Sequence, residues 1–459
     1  MRARPGKTAT LGVLVMAPFM AQLDASILNV ALPQLTKALG VPSSTVAWTV
    51  SIYMIVISAL ILPCGRLGDI FGHTRTFLLG IGVFTFGSLL CGLSHTFYML
   101  LGARVVQAVG SAAFMANNQG IITALFPAAQ RGHALGVNAA FVALGTLLGP
   151  PLGGFLIEYA NWQSLFFINL PIGLGILLVG LRLLPHKAVP GGSMDLTSTL
   201  LSAGGICLFF LALGQLQTTT GFGLAGIGAA ALILWAFFCR QKKLATPFLP
   251  AAILQNRRFT QGVVCTFLSY TAIACSNLIL PFYFQDLLGI SARNSGLLLL
   301  IYPAVLAVAA PLGGTLSDRF GSRRFTTLGL VLAGTGLLLM NAAGPKNAAM
   351  ACLCMVLMAC GNGLFQSPNN NGLMSALSGS EYGIGGSINA LMRNLGNSTG
   401  VVLSLLLLYG GMSLRLGYTV RGFSPGGEAA FLFGMRLAYT AVGLLTLGGA
   451  LIAARKSRP

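Results

Sequence analysis

The chain has 459 residues, of which 55% are hydrophobic and only 8% charged. A soluble protein of this length carries about a quarter of its residues charged, so these charges cannot cover a water-facing surface. The net charge of +19 invites a nucleic-acid reading, but the basic residues are dispersed along the chain and form no basic module, which excludes that class.

Apolar runs of about 20 residues predict roughly fourteen bilayer-spanning helices, an all-α polytopic membrane protein. The first span follows Arg2, Arg4 and Lys7 as a signal peptide would. It shows no small-residue cleavage site and continues as a full span. Asp24 lies well inside it, in LDASILNVALP at 23–33. After the second span comes GRLGDIFGHTR at 65–75. The fourth contains Arg104 and Gln107, and the fifth contains GTLLGPPLGG at 145–154. WQSLFFINLPIG at 162–173 opens the sixth. A segment at about 194–240 has room for two further helices. The second span after it ends in GTLSDRFGSRR at 314–324.

That last motif repeats the loop at 65–75, at a distance of 249 residues. AVGSAAF at 108–114 and ACGNGLF at 359–365 stand 251 residues apart, as do ALGTLLG at 143–149 and NLGNSTG at 394–400. NNQG at 117–120 matches NNNG at 369–372. Glycine-rich membrane helices resemble one another by composition, but that does not explain a shared loop motif, so the chain is read as a duplication. The expected organisation is an N-terminal six-helix bundle (8–190), two inserted helices (191–240) and a C-terminal six-helix bundle (241–455).

Nineteen of the 27 basic residues fall in alternate loops or at the termini. That asymmetry puts both termini in the cytoplasm. The nine cysteines sit almost wholly in apolar runs, and neither a disulfide framework nor a metal-ligand spacing emerges. His73, His95, His133 and His186 are far apart, and no HExxH or GxSxG motif occurs. No cofactor and no enzymatic constellation is expected.

Asp24 is the one carboxylate of eight acidic residues placed clearly at membrane depth. An ionised Asp there costs several kcal/mol. Low-dielectric surroundings favour the protonated acid, while a nearby cation or water favours the carboxylate. A carboxyl group whose surroundings alternate can carry protons; a simple hydrogen bond within the bundle is the plainer reading. Arg104 is its natural counter-charge within the same six-helix unit, either as proton-coupling partner or as a structural salt bridge. With Gly65 and Gly72 letting helix ends approach, the Asp69 carboxylate beside Arg75 can latch one side shut by accepting bonds from a helix N-terminus or an arginine; a topology signal from the basic residues is the plainer reading. Asp318 and Arg324 repeat that arrangement.

These motifs, in this order and over nearly the whole chain, resemble the major facilitator superfamily, with the closest match in its 14-spanner drug:proton antiporter branch. The first-helix motif, the loop motif, the R-x-x-Q at Arg104–Gln107 and the W-x2-[FI]-F segment are those of the family. Ala108 stands where glycine usually follows the glutamine. The fifth-helix pattern is matched in full by Gly136, Gly145, Gly149, Pro150, Gly153 and Gly154. The resemblance implies a major-facilitator fold, proton movement governed by Arg104 at Asp24, and antiport.

Polar residues at depth are candidates for the substrate cavity: Gln107, Asn117, Asn138, Asn277, Asn362, Gln366, Asn389 and Arg393, with Tyr53 as an apolar wall. Each can equally bridge two helices. The expected function is export of small amphipathic or drug-like compounds in exchange for protons, by a monomer in the cell (inner) membrane, powered by the proton gradient. A proton-coupled symporter or facilitator for a nutrient is the alternative, and an intramembrane enzyme or receptor the remote one. Scarcity of acids at depth points to neutral or singly charged substrates over divalent cations.

Overall fold

In hydrocarbon no water satisfies backbone amides, so a chain this apolar crosses a bilayer as helices. The computed structural model describes residues 7–185, 194–216, 220–244, 247, 249–344, 347–378, 381–418 and 427–455. Among these, fourteen helices are long and apolar enough to span a membrane. The first is α1, whose apolar span Lys7–Leu28 runs on as helix to Leu39. Next come α2 (Trp48–Phe71), α3 (His73–Gly92), α4 (Phe97–Leu125), α5 (Ala128–Tyr159) and α6 (Ser164–Leu183). The inserted pair is α7 (Leu196–Gln215) and α8 (Gly221–Gln241). Then follow α9 (Arg257–Leu287), α10 (Arg293–Phe320), α11 (Ser322–Ala342), α12 (Ala348–Ser375), α13 (Tyr382–Leu416) and α14 (Glu428–Ala454). The expected boundary at residues 190 and 191 lies outside the described residues, as do Arg2, Arg4, His186, Lys187, Lys346, Arg421, Lys456 and Arg458.

Local signals set the helix ends. Thr96, Asn256 and Asn347 cap the starts of α4, α9 and α12 with their side chains. Gly72 and Gly321 join α2 to α3 and α10 to α11 at φ of 99° and 91°, a backbone that a Cβ would strain. Asp195 caps α7 through Ser198 N at 3.0 Å and takes Arg240 Nε and Nη2 from the end of α8 at 2.7 and 2.9 Å. The hydrogen bonds from Arg240 and Ser198 hold its carboxyl below the usual carboxylate range. This tie is therefore present at neutral pH and lost in acid.

Packing repeats with the sequence. α1 lies on α5 and α6, and α9 on α13 and α14; α4 lies on α2 and α3, and α12 on α10 and α11. The inserted helices pair with each other, and α7 rests on α2 and α13. The two six-helix units meet through α5 with α10 and through α2 with α13, the same pairing under the duplication. A methyl carbon built on Gly136 would stand 2.6 Å from Ala310 O, and one on Gly65 2.9 Å from Gly383 O. Small residues thus let helices from opposite units touch backbone to backbone at the end that carries the loop motifs.

Helix α5 serves two partners along its length. Its first turns face α10; further on, Gly145 meets Phe19 O, Gly149 meets Ser26 and Gly153 meets Ile27 O, all on α1. The helix runs unbroken through Pro150 and Pro151. Two members of the glycine pattern take no part in this packing: Pro150 is exposed, and a Cβ on Gly154 would meet nothing within 4 Å. Both lie on the face of α5 turned away from α1. Gly149→Leu therefore drives a side chain into Ser26 and should cost about 1–3 kcal/mol of overpacking. Gly154→Leu should be close to neutral. Thermal unfolding in detergent would check this; equal melting temperatures for the two variants would contradict the packing.

Candidate functional site

Asp24 and Arg104 form an ion pair sealed inside the first unit. Arg104 Nη1 on α4 lies 2.7 Å from Asp24 Oδ2, with side-chain exposures of 0% and 1%. Gln107, one turn along α4, donates from Nε2 to Asp24 Oδ1 at 3.0 Å, and Asn169 Nδ2 on α6 donates to the same oxygen at 2.7 Å. Two helices thus present three donor side chains to one carboxylate on a third. Every contact these side chains make to Asp24 is one that an ionised carboxylate accepts.

The arginine is held as firmly as the acid. Its Nε donates to Thr49 O at 3.1 Å, and its Nη1 also reaches Gln107 Oε1. Its guanidinium carbon lies 4.1 Å from the centroid of the Tyr53 ring, a cation–π arrangement. Tyr53 OH donates to Ser111 Oγ at 2.9 Å, fixing the ring. Gln107 is aligned by its own bond to Ser88 Oγ at 2.8 Å. Two buried atoms stay unmatched: Arg104 Nη2 and Asn169 Oδ1 accept or donate no hydrogen bond. A desolvated donor without a partner costs about 1–3 kcal/mol.

The loop motifs form a second, duplicated feature. Asp318, at the end of α10, accepts from Gly132 N and His133 N at 2.9 Å each, in the first turns of α5. Asn371 Nδ2 adds a third bond at 3.1 Å. Charge at a helix N-terminus is favourable, so this carboxylate ties the second unit to the first. Asp69, at the end of α2, faces the amides of Gly383 and Ile384 at the start of α13. His73 Nε2 lies 3.6 Å from its Oδ1, which accepts no hydrogen bond. The first latch is therefore looser than the second. Arg75 and Arg324 are exposed and make no ion pair among the described residues.

Most polar residues expected to line a cavity are instead closed inside helix contacts. Asn117 bonds Cys64 O, Ala113 O and His73; Asn138 accepts from Asn118. Asn362 joins Ser269 and Tyr302, and Asn389 joins Thr266, Asn370 and, across the unit boundary, Gln119. Gln107 and Tyr53 belong to the ion-pair cluster. The reason is the one that makes polar groups visible in an apolar sequence: a buried amide must find a partner, and a neighbouring helix supplies it. Asn277 is exposed, and Gln366 and Arg393 are half-buried. Thr49, Ser88 and Asn169 were not singled out from sequence. Asn169 could have been, as the lone amide of the quoted FINLPIG run.

The profile of the Major Facilitator Superfamily matches residues 14–254 and 262–459. Riboflavin transporter RibZ of Clostridioides difficile (strain 630) is 33% identical over 400 residues, 86% of either chain. Multidrug resistance protein Stp of Mycobacterium tuberculosis (strain CDC 1551 / Oshkosh) is 27% identical, over 83% of this chain and 72% of its own. Among solved structures, the human organic anion transporter MFSD10 (TETRAN) superposes with a TM-score of 0.69 at 15% identity, over 98% of this chain and 100% of that one. That last likeness is one of fold.

Removing one member of a buried pair leaves an unmatched charge, at a cost of about 3–5 kcal/mol. Arg104→Met should therefore melt well below the wild type. The double variant Asp24→Asn with Arg104→Met should recover most of the loss. Strictly additive losses in detergent melting would show that the two residues are not coupled.

Proposed function

This chain belongs to the Major Facilitator Superfamily, a family of transporters and not of enzymes, and from that membership we propose that it exports small amphipathic, drug-like compounds in exchange for protons. The observation that carries the reading is the Asp24–Arg104 pair, a titratable carboxylate locked by an arginine at membrane depth. Such a pair has two self-consistent arrangements. With Asp24 ionised, Arg104, Gln107 and Asn169 close on it and draw α1, α4 and α6 together. With Asp24 protonated, its charge is gone, Arg104 loses its counter-ion, and α1 is released from the cluster.

Alternating access follows if those arrangements belong to opposite openings. In the present conformation the two units are latched at the loop-motif end by Asp318 and, more loosely, Asp69. The distribution of basic residues supports placing that end in the cytoplasm. A proton entering from the far side would discharge Asp24, loosen α1 and, once the latches part, leave to the cytoplasm as substrate loads. Cation selectivity needs an unpaired acid in the pathway. Among the described residues the mid-span acid Asp24 is already paired, and mid-span α13 contributes the cation Arg393. Neutral or singly charged amphipathic substrates fit that balance better than divalent cations.

A second reading, proton-coupled or passive movement of a nutrient, is favoured by the relative named for riboflavin transport. The relative named for multidrug resistance supports export. The Asp24 device serves either direction.

Reconstituted vesicles with an imposed pH gradient decide between coupling and passive carriage. The wild type should drive a lipophilic test compound against its gradient. Asp24→Asn should abolish that accumulation while leaving exchange at equal concentrations; accumulation by the variant would sink proton coupling at this site. For the latch, Asp318→Asn loses charge-assisted bonds worth about 1.5–3 kcal/mol. The population open at the loop-motif end should rise on the order of tenfold or more. Spin-label distances between the adjoining ends of α5 and α10 would read this, and an unchanged distribution would rule out a latch.

A further inference from the structure

Two cavities adjoin at the loop-motif end of the second unit. The larger, about 520 Å³, is enclosed by α9, α11, α12 and the end of α14, and three arginines line it: Arg258, Arg323 and Arg455. Ser322 and Thr326 add hydroxyls, and no carboxylate lines it among the described residues. Arg323 is positioned by its own bond to the α14 backbone, Nε to Ala453 O at 3.3 Å. The smaller cavity, about 320 Å³, shares Gln261 and Arg455 with the first and adds Arg257. Gln255 and Thr260 add polar groups, and Leu254, Val264 and Ile452 form its apolar wall. Leu254 and Val264 are 39% and 38% exposed on the outer face of the helices. A cationic, hydroxyl-lined chamber therefore opens beside a groove with one exposed apolar wall.

The corresponding place in the first unit is lined differently. Under the duplication Ser322 and Asn369 stand where the first unit has His73 and Asn117. There the imidazole fills the space and meets Asn117 Oδ1 at 3.0 Å. Arg323 likewise replaces Thr74. The Ser322 hydroxyl and the extra cation Arg323 are thus particular to the second unit.

We propose that the joined cavities bind a phospholipid with an anionic headgroup. The phosphate and headgroup occupy the arginine chamber, and an acyl chain follows the Leu254–Val264–Ile452 wall. Charge complementarity selects the anion, and the partly exposed Leu254–Val264–Ile452 wall selects a lipid over a free phosphate. A lipid seated there bridges α9, α11 and α14 where these helices end, and it would brace the second unit against the movement of the first.

The test uses the purified full-length protein, stripped of lipid in detergent. Phosphatidylglycerol, phosphatidylcholine, glycerol phosphate and inorganic phosphate are titrated separately, with melting temperature and lipid adducts in native mass spectra as readouts. Phosphatidylglycerol alone should raise the melting temperature and stay bound. Arg323→Ala with Arg455→Ala should weaken its retention on the order of tenfold or more. Gly372→Leu keeps every charge and grows into the chamber, since a Cβ there finds its nearest neighbour, Ser322 Cβ, at 3.6 Å. It should lose the lipid too, which covers the case in which the arginine variant does not fold. Equal retention of phosphatidylcholine, equal stabilisation by the soluble phosphates, or undiminished phosphatidylglycerol binding by Gly372→Leu would each overturn the proposal.

Discussion

One carboxylate buried in hydrocarbon constrains much of the first unit. Leaving Asp24 ionised and alone would cost several kcal/mol, so other helices must bring donors to it. Arg104 and Gln107 arrive from α4 and Asn169 from α6, while α2 contributes the Thr49 carbonyl and the Tyr53 ring that hold the arginine. α1 can approach closely enough because Gly145, Gly149 and Gly153 strip side chains from the face of α5 it lies on. The glycine pattern and the charged cluster, distant in sequence, answer the same requirement from two sides of α1.

The duplication supplies the second constraint. Each unit carries a loop aspartate, and each aspartate addresses the N-terminus of a helix in the other unit: Asp318 the start of α5, Asp69 the start of α13. Reciprocal contacts of this kind couple the units at one end and leave each internally intact. The two latches are not equal, since Asp318 has three donors and one oxygen of Asp69 has no hydrogen-bonding partner. The Asp69 contact is therefore the weaker of the two.

Much of this was legible in the sequence, for a physical reason. Hydrocarbon forbids unsatisfied backbone and uncompensated charge, so span number, the repeat and the lone deep acid stand out against an apolar background. What could not be read was which way each polar side chain faces. Asn117, Asn362 and Asn389 look alike on paper whether they line a pathway or join two helices. Helix rotation and crossing decide the matter, and in this conformation they join helices. The arginine chamber was hidden for a related cause: Arg258, Arg323 and Arg455 come from three separate loops or helix ends, and read in order they look only like topology signals.

The two units also serve as controls for each other. Tyr53 bonded to Ser111 recurs as Tyr302 bonded to Asn362, so that tyrosine tie belongs to the fold. The ion pair does not recur. Gly145 packs on Phe19 and Gln22, and its counterpart Gly396 on Phe267 and Tyr270, a register that sets Ala272 against Asp24. The repeat sets Met355 against Arg104 and Met358 against Gln107. Ala272, Met355 and Met358 are all buried in one apolar cluster. The same architecture thus closes with hydrophobic side chains where the first unit keeps a charged pair. Replacing a buried ion pair by well-packed apolar groups is often neutral or stabilising. Structural need alone therefore does not account for Asp24 and Arg104, and a pair kept at that expense of stability fits a site whose charge is meant to change.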